Sequence, residues 1–139
     1  MPFAKVYVLD ANAVIRYLTD GLGKERVSAF LRGVESGEVR LVISAVNWGE
    51  VLYTMARFVG LPKASTDLKA MSRSVQSVSA DEALAETAAT IKFRHKLGYA
   101  DSYAAALAIH LNATLVSADP DFAKVGKRLR LLMLPRYKE

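Results

Sequence analysis

Val6-Tyr7-Val8-Leu9 is a short apolar run that ends on Asp10 and leads directly into Ala11-Asn12-Ala13-Val14-Ile15. The run from Lys5 to Leu9 is rich in strand-forming residues and too short for a helix, so it reads as a buried strand. A helix begins within a few residues of it. A carboxylate at that junction works against stability, because an unpaired charge taken out of water costs several kcal/mol or takes up a proton. Asp10 therefore needs compensation from backbone amides, a basic side chain, or a metal ion shared with other carboxylates.

The rest of the chain alternates in the same manner. Residues 12–17 begin a short helix, and Gly21 and Gly23 interrupt the residues after it. Val27, Phe30, Leu31 and Val34 make one apolar face over 24–35, stopped by Gly37. Residues 39–43 form a second strand, and Ser44 is placed to cap the next helix. Val51, Leu52, Met55, Phe58 and Val59 form that helix's apolar face, with Asn47, Glu50, Thr54 and Arg57 on another, and Gly60 and Pro62 end it. A further helix starts at Pro62, and residues 75–79 are ambiguous between its continuation and a short strand. Ser79-Ala80-Asp81-Glu82 is a capping-box pattern opening a helix that runs to Leu97 and closes at Gly98. Asp101 starts an Ala-rich helix through Ile109, residues 113–117 form a strand, Asp119-Pro120-Asp121 turns the chain, and 129–134 is a last strand before a basic tail.

Strands alternating with helices imply parallel pairing through crossovers. The expected class is α/β: a three-layer α/β/α sandwich around a central, mostly parallel sheet of four to five strands, in one domain spanning 1–139. Such sheets bind ligands outside the carboxyl ends of their strands. The 139 residues suffice for one core, and 52% hydrophobic residues with a mean hydropathy of +0.15 fit a globular chain. No apolar stretch approaches the ~20 residues of a membrane span, and no signal peptide is visible, so cytoplasmic residence without a membrane partner is expected. The absence of cysteine excludes disulfides and thiolate metal sites.

Asp10, Glu50, Asp101 and Asp119 belong together in this scheme. Asp10 and Asp119 follow strands, the helix carrying Glu50 leaves the same sheet edge if its strand is parallel, and Asp101 heads a helix. Each also has a local explanation: an Asx-turn for Asp10, a solvated helix position for Glu50, an N-cap for Asp101, and a turn before Pro120 for Asp119. Residues 102–109 carry only a Ser and a Tyr hydroxyl as polar side-chain groups, so Asp101 heads a buried helix whose alanines admit close neighbours. Like charges converging there raise one another's pKa values, and a divalent cation removes the conflict. An oxygen-only donor set suits Mg²⁺ or Mn²⁺ better than Zn²⁺.

Other chemistries find little support. His95 and His110, the only histidines, have no ligand spacing, and neither nucleotide-binding glycine pattern is present. A net charge of +5 and a pI near 9.6 favour an anionic partner, nucleic acid above all. Lys92, Arg94, His95 and Lys96 form one basic cluster, which also suits a helix C-terminus. Lys124, Lys127, Arg128 and Arg130, close behind Asp119 and Asp121, are the better candidates for holding a phosphate backbone, with Arg136 and Lys138 in the tail.

Four segments carry a resemblance: Leu9-Asp10-Ala11-Asn12, residues 44–51 (Ser-Ala-Val-Asn-Trp-Gly-Glu-Val), residues 99–106 (Tyr-Ala-Asp-Ser-Tyr-Ala-Ala-Ala) and residues 115–122 (Leu-Val-Ser-Ala-Asp-Pro-Asp-Phe). In this order and spacing the chain resembles PIN-domain proteins, most of all the VapC-type toxins of prokaryotic toxin–antitoxin pairs. The resemblance implies a PIN-like fold and a Mg²⁺- or Mn²⁺-dependent endoribonuclease hydrolysing RNA phosphodiester bonds. In it, Asp10, Glu50, Asp101 and Asp119 match the family's catalytic and metal-binding acidic quartet. Asn12, Ser117 and Asp121 match supporting positions, Ser117 standing where Thr is common. The resemblance also implies a homodimer and a cognate antitoxin. The alternatives are a PIN-like nucleic-acid-binding module without activity, an RNA-processing factor, and an Asp-nucleophile phosphatase. The phosphatase pattern wants a second Asp where this chain has Asn12.

Overall fold

The computed structural model describes residues 4–136, so Lys138 of the basic tail lies outside the described residues. Five strands form one parallel sheet in the order β3-β2-β1-β4-β5, with β1 Lys5–Leu9, β2 Val39–Ser44, β3 Val75–Val78, β4 Thr114–Ser117 and β5 Arg130–Met133. Between them run α1 Ala11–Leu18, α2 Lys24–Ser36, α3 Ala45–Val59, α4 Leu61–Met71, α5 Glu82–His95 and α6 Tyr99–His110. A 3-10 stretch, Pro120–Arg128, kinks at Gly126 and joins β4 to β5.

The central strands are apolar on both sides because both sides are covered. Val8, Val42 and Leu115 pack under α5, α6 and the 3-10 stretch; Leu9, Leu41, Ile43 and Val116 pack under α1 to α4. These are the three layers expected. The sheet grows from β1 outward through β2 to β3, then restarts on the other side of β1 with β4. The strand order therefore reverses between β1 and β4, which pair with Tyr7 opposite Thr114 and Leu9 opposite Val116. At such a switch point the connections leave in opposite directions and open a crevice at the carboxyl edge. Asp10 follows β1 at that edge, and Asp119 follows β4.

Several local expectations are corrected. The capping box at Ser79 does not form; Asp81 is the N-cap of α5, its Oδ1 accepting from Leu84 N at 2.8 Å. Helix α5 ends at His95 rather than Leu97, because Lys96 turns left-handed at φ 58° and leaves Leu97 buried beyond the helix. Asp101 is not an N-cap: α6 starts at Tyr99 with Gly98 before it, which puts Asp101 in the first turn. Phe58 and Val59, expected on the apolar face of α3, are exposed, since that face has run past its cover by the last turn. Residues 75–78 are a strand, and Asp119-Pro120-Asp121 opens the 3-10 stretch instead of a simple turn. Among the described residues no helix is long and apolar enough to cross a membrane.

Candidate functional site

The crevice at the switch point is a cleft of about 390 Å³ lined by Asp10, Asn12, Glu50, Asp101 and Asp119, with Ala11, Ile15, Arg16, Thr54, Ala118 and Pro120 completing the wall. All four members of the acidic set line it, each delivered by a different segment. Asp10 arrives as the N-cap of α1, Glu50 from the second turn of α3, Asp101 from the first turn of α6, and Asp119 as the N-cap of the 3-10 stretch.

Local and shared roles coexist because a carboxylate has two oxygens. Asp10 Oδ1 accepts from Ala13 N at 2.8 Å, the ordinary capping bond, while Oδ2 accepts from the Ser117 hydroxyl at 2.5 Å. Ser117 Oγ in turn accepts from Asp119 N at 3.0 Å, and Asp119 Oδ1 accepts from Asp121 N at 2.9 Å. The hydroxyl thus bridges the ends of β1 and β4 and fixes Asp10 against the backbone that carries Asp119.

These bonds do not neutralise the charge. Burial pushes the Asp10 carboxyl up to about 6, against the lowering influence of Ser117 and Ala13 and with smaller increments from Asp101 and Asp119. Asp101 is pushed up to about 6 as well, by burial first and then by Asp119, Glu50 and Asp121. The ion pairs among the described residues are Lys24–Asp20, Lys63–Asp67 and Lys124–Asp121, and none of them involves the four acids of the cleft. Arg16 stands in the wall, with its NH1 donating to Leu22 O at 3.1 Å and Pro135 O at 2.5 Å.

The donors are hard oxygens, the charges repel, and two of the acids, Asp10 and Asp101, are pushed up to about 6, so their ionised forms are disfavoured by the site. That chemistry fits Mg²⁺ or Mn²⁺. Their spacing sets a limit: among the described residues no three His, Cys, Asp or Glu side chains already close around one point. An ion that keeps most of its water and takes one or two carboxylates directly, as Mg²⁺ does, matches such an open arrangement.

The remaining predicted residues divide. Asn12 lines the cleft, Ser117 holds Asp10, and Asp121 acts on Asp101 through its field. Lys124, Lys127 and Arg128 are exposed on the 3-10 stretch and do not line the cleft. Lys124 pairs with Asp121 at 3.6 Å, and Arg128 borders a separate groove with Arg94 and His110. His110 bonds Thr87 across α5 and α6.

One residue shares the helix face of Glu50 in the sequence without a role apparent there. Asn47, fully buried one turn before Glu50, donates from Nδ2 to Glu50 Oε1 at 2.9 Å and to Ala100 O at 3.0 Å. Its Oδ1 is buried and accepts no hydrogen bond among the described residues. An acceptor left unpaired in this way costs about 1–3 kcal/mol. The i, i+3 spacing of Asn47 and Glu50 is the signal that could have found it.

The PIN domain family model matches residues 7–128, which includes every segment that builds the cleft. The chain belongs to the PIN-domain family. No curated protein matches the chain at a significant level. Solved structures of similar fold include VapBC2 from Rickettsia felis bound to a DNA fragment from its promoter, at 16% identity and TM-score 0.73, covering 94% of this chain and 99% of that one. VapBC-1 from nontypeable Haemophilus influenzae is similar at 22% identity and TM-score 0.71, covering 92% and 97%. The sarcin-ricin-loop-cleaving toxin VapC20 of Mycobacterium tuberculosis is similar at 18% identity and TM-score 0.67, covering 86% and 95%. At these identities the likeness establishes a shared PIN fold along nearly the whole chain.

Proposed function

We propose that this PIN domain, a single unit over 1–139, is a Mg²⁺- or Mn²⁺-dependent endoribonuclease and the toxin half of a toxin–antitoxin pair. The observation that carries the nuclease reading is the convergence of Asp10, Glu50, Asp101 and Asp119 on one cleft at the switch point, two of them with raised pKa values. Four carboxylates repel a polyanion, so a divalent cation is what lets a phosphodiester approach. Asp10 would hold it directly, with Asp101 and Asp119 next, directly or through its water, and Glu50 binding in either of the same two ways. When bound, it polarises the scissile phosphate and makes water a better nucleophile.

The chain's own residues supply the framework. Ser117 keeps Asp10 in one rotamer by donating to Oδ2. The first turn of α1 donates Ala13 N–H to Asp10 Oδ1, and Asp101 sits in the first turn of α6, a helix end that favours negative charge. Lys127 and Arg128, exposed on the 3-10 stretch outside the cleft, would meet the phosphates of a strand that extends past it. The toxin reading draws its support from solved VapBC complexes of the same fold. It carries with it a cognate antitoxin, a homodimer and residence in the cytoplasm.

A PIN-like binding module without chemistry is the second reading. It is favoured by one observation, the failure of any three acidic groups to close around a point among the described residues. Purified protein incubated with total RNA in Mg²⁺ or Mn²⁺, with cleavage ends mapped and Asp10→Asn alongside, separates the two. Discrete ends that vanish in EDTA and in Asp10→Asn support the nuclease. Binding without new ends supports the module.

A further inference from the structure

Asn47 is an expensive choice for its position. Asn has poor helix propensity, position 47 is inside α3, and the side chain is fully buried. Both partners of its amide, Glu50 Oε1 and Ala100 O, can only accept. The NH₂ group must therefore face them, and Oδ1 is left toward the interior with no donor among the described residues. An apolar residue of similar size would remove the unmatched acceptor, at the loss of both bonds.

The two bonds that Asn47 makes explain its presence. One reaches forward a single turn to the carboxylate of Glu50. The other crosses to Ala100, in the first turn of α6 beside Asp101. One amide thus ties the acid of α3 to the helix end that carries the acid of α6. Glu50 Oε2 takes no hydrogen bond among the described residues and stays available in the cleft. A free Glu side chain samples several rotamers, and the bond to Oε1 removes that freedom.

We infer that Asn47 is a positioning residue: it holds the Glu50 carboxylate at a set place relative to Asp101, and so preorganises the cleft for a divalent cation. This rests on the metal-site reading of the cleft. The decisive variant is Asn47→Leu, which fills the same space without an amide. Mn²⁺ is titrated calorimetrically into the EDTA-stripped full chain, as wild type, Asn47→Leu, Glu50→Ala and the double variant, with melting curves in metal-free buffer.

Asn47→Leu is expected to remain folded in the metal-free melt yet bind Mn²⁺ about ten-fold more weakly. In the Glu50→Ala background the same change is expected to alter Mn²⁺ affinity by less than about two-fold, since its effect runs through Glu50. If Asn47→Leu does not fold, Asn47→Ser gives the same readings with a shorter side chain. Wild-type Mn²⁺ affinity in a folded Asn47 variant overturns the inference alone, as does an undiminished loss in the Glu50→Ala background. A wild-type chain that binds no Mn²⁺ overturns the metal-site reading and this inference with it.

Discussion

Replacing Asp10 by Asn should stabilise the metal-free protein at alkaline pH and destabilise it at acid pH. The displacement of the Asp10 carboxyl from 3.8 to about 6 corresponds to about 3 kcal/mol, at 1.36 kcal/mol per pH unit. Its sign is set by proton counting. Between about pH 4 and 6 the folded state keeps a proton that the unfolded chain has released, so stability falls as pH rises through that window. The deficit is complete above about pH 7 and absent below about pH 4. Asn at position 10 carries no charge and escapes it, and its Oδ1 can still accept from Ala13 N. Its Nδ2, however, would face Ser117 Oγ, which already accepts from Asp119 N, and the serine proton loses its acceptor. That mismatch costs about 1 kcal/mol.

The difference leaves Asp10→Asn more stable than wild type by about 2 kcal/mol at pH 8 and less stable by about 1 kcal/mol at pH 4. The alkaline gain corresponds to roughly 8 °C in melting temperature for a chain of this length. Urea denaturation of both proteins in EDTA, from pH 4 to 8, reads the crossover directly. A variant less stable than wild type at pH 8, or a difference that does not change with pH, would refute the reasoning. It would mean that the fold itself compensates the Asp10 charge and holds nothing in reserve for a cation.

Other perturbations address the same cleft. Mn²⁺ at about a hundred times its dissociation constant should stabilise the wild type by about 2.7 kcal/mol at pH 8 and by less at pH 5, where protons compete for Asp10 and Asp101; melting curves at the two pH values check this. Ser117→Ala removes the donor to Asp10 Oδ2 and the acceptor for Asp119 N, so it should raise the Asp10 pKa further and cost about 1–3 kcal/mol, measured by NMR titration and urea denaturation. Gly98→Ala would set a Cβ 3.2 Å from Asp101 Oδ2, displacing that carboxylate and lowering the proposed RNA cleavage while the fold persists. Gly49→Ala, with open space around its Cβ inside α3, should instead gain about 0.5–1 kcal/mol, and the pair compared in one cleavage and melting series tests the contact.

What could be read in advance tracks the reach of the interaction. Strands buried on both faces appear as unbroken apolar runs, and so β1, β2 and β4 are visible in the sequence; β3, an edge strand exposing Gln76 and Ser77, is not distinguishable there from the tail of a helix. Helix ends are misread where tertiary packing overrides a local pattern, as at Leu97, buried just past the left-handed Lys96. The four acids are legible as a set: each has a local explanation, but the order of strands and helices brings them toward one sheet edge, and Asp10 at the end of a buried run needs a distant reason. That β4 lies beside β1, bringing Ser117 to Asp10, is a pairing across 107 residues that no local pattern encodes. Asn47 obeys the same logic from the other side. Its relation to Glu50 lies in the helix period, whereas its bond to Ala100 spans 53 residues, and only that bond explains why an amide is buried there with its Oδ1 unpaired among the described residues. The criterion that singles out Asp10, a polar group placed where burial penalises it, applies to Asn47 once the helix face is known to be buried. Two such misfits joined to one cleft argue that its geometry has been favoured over the stability of the fold.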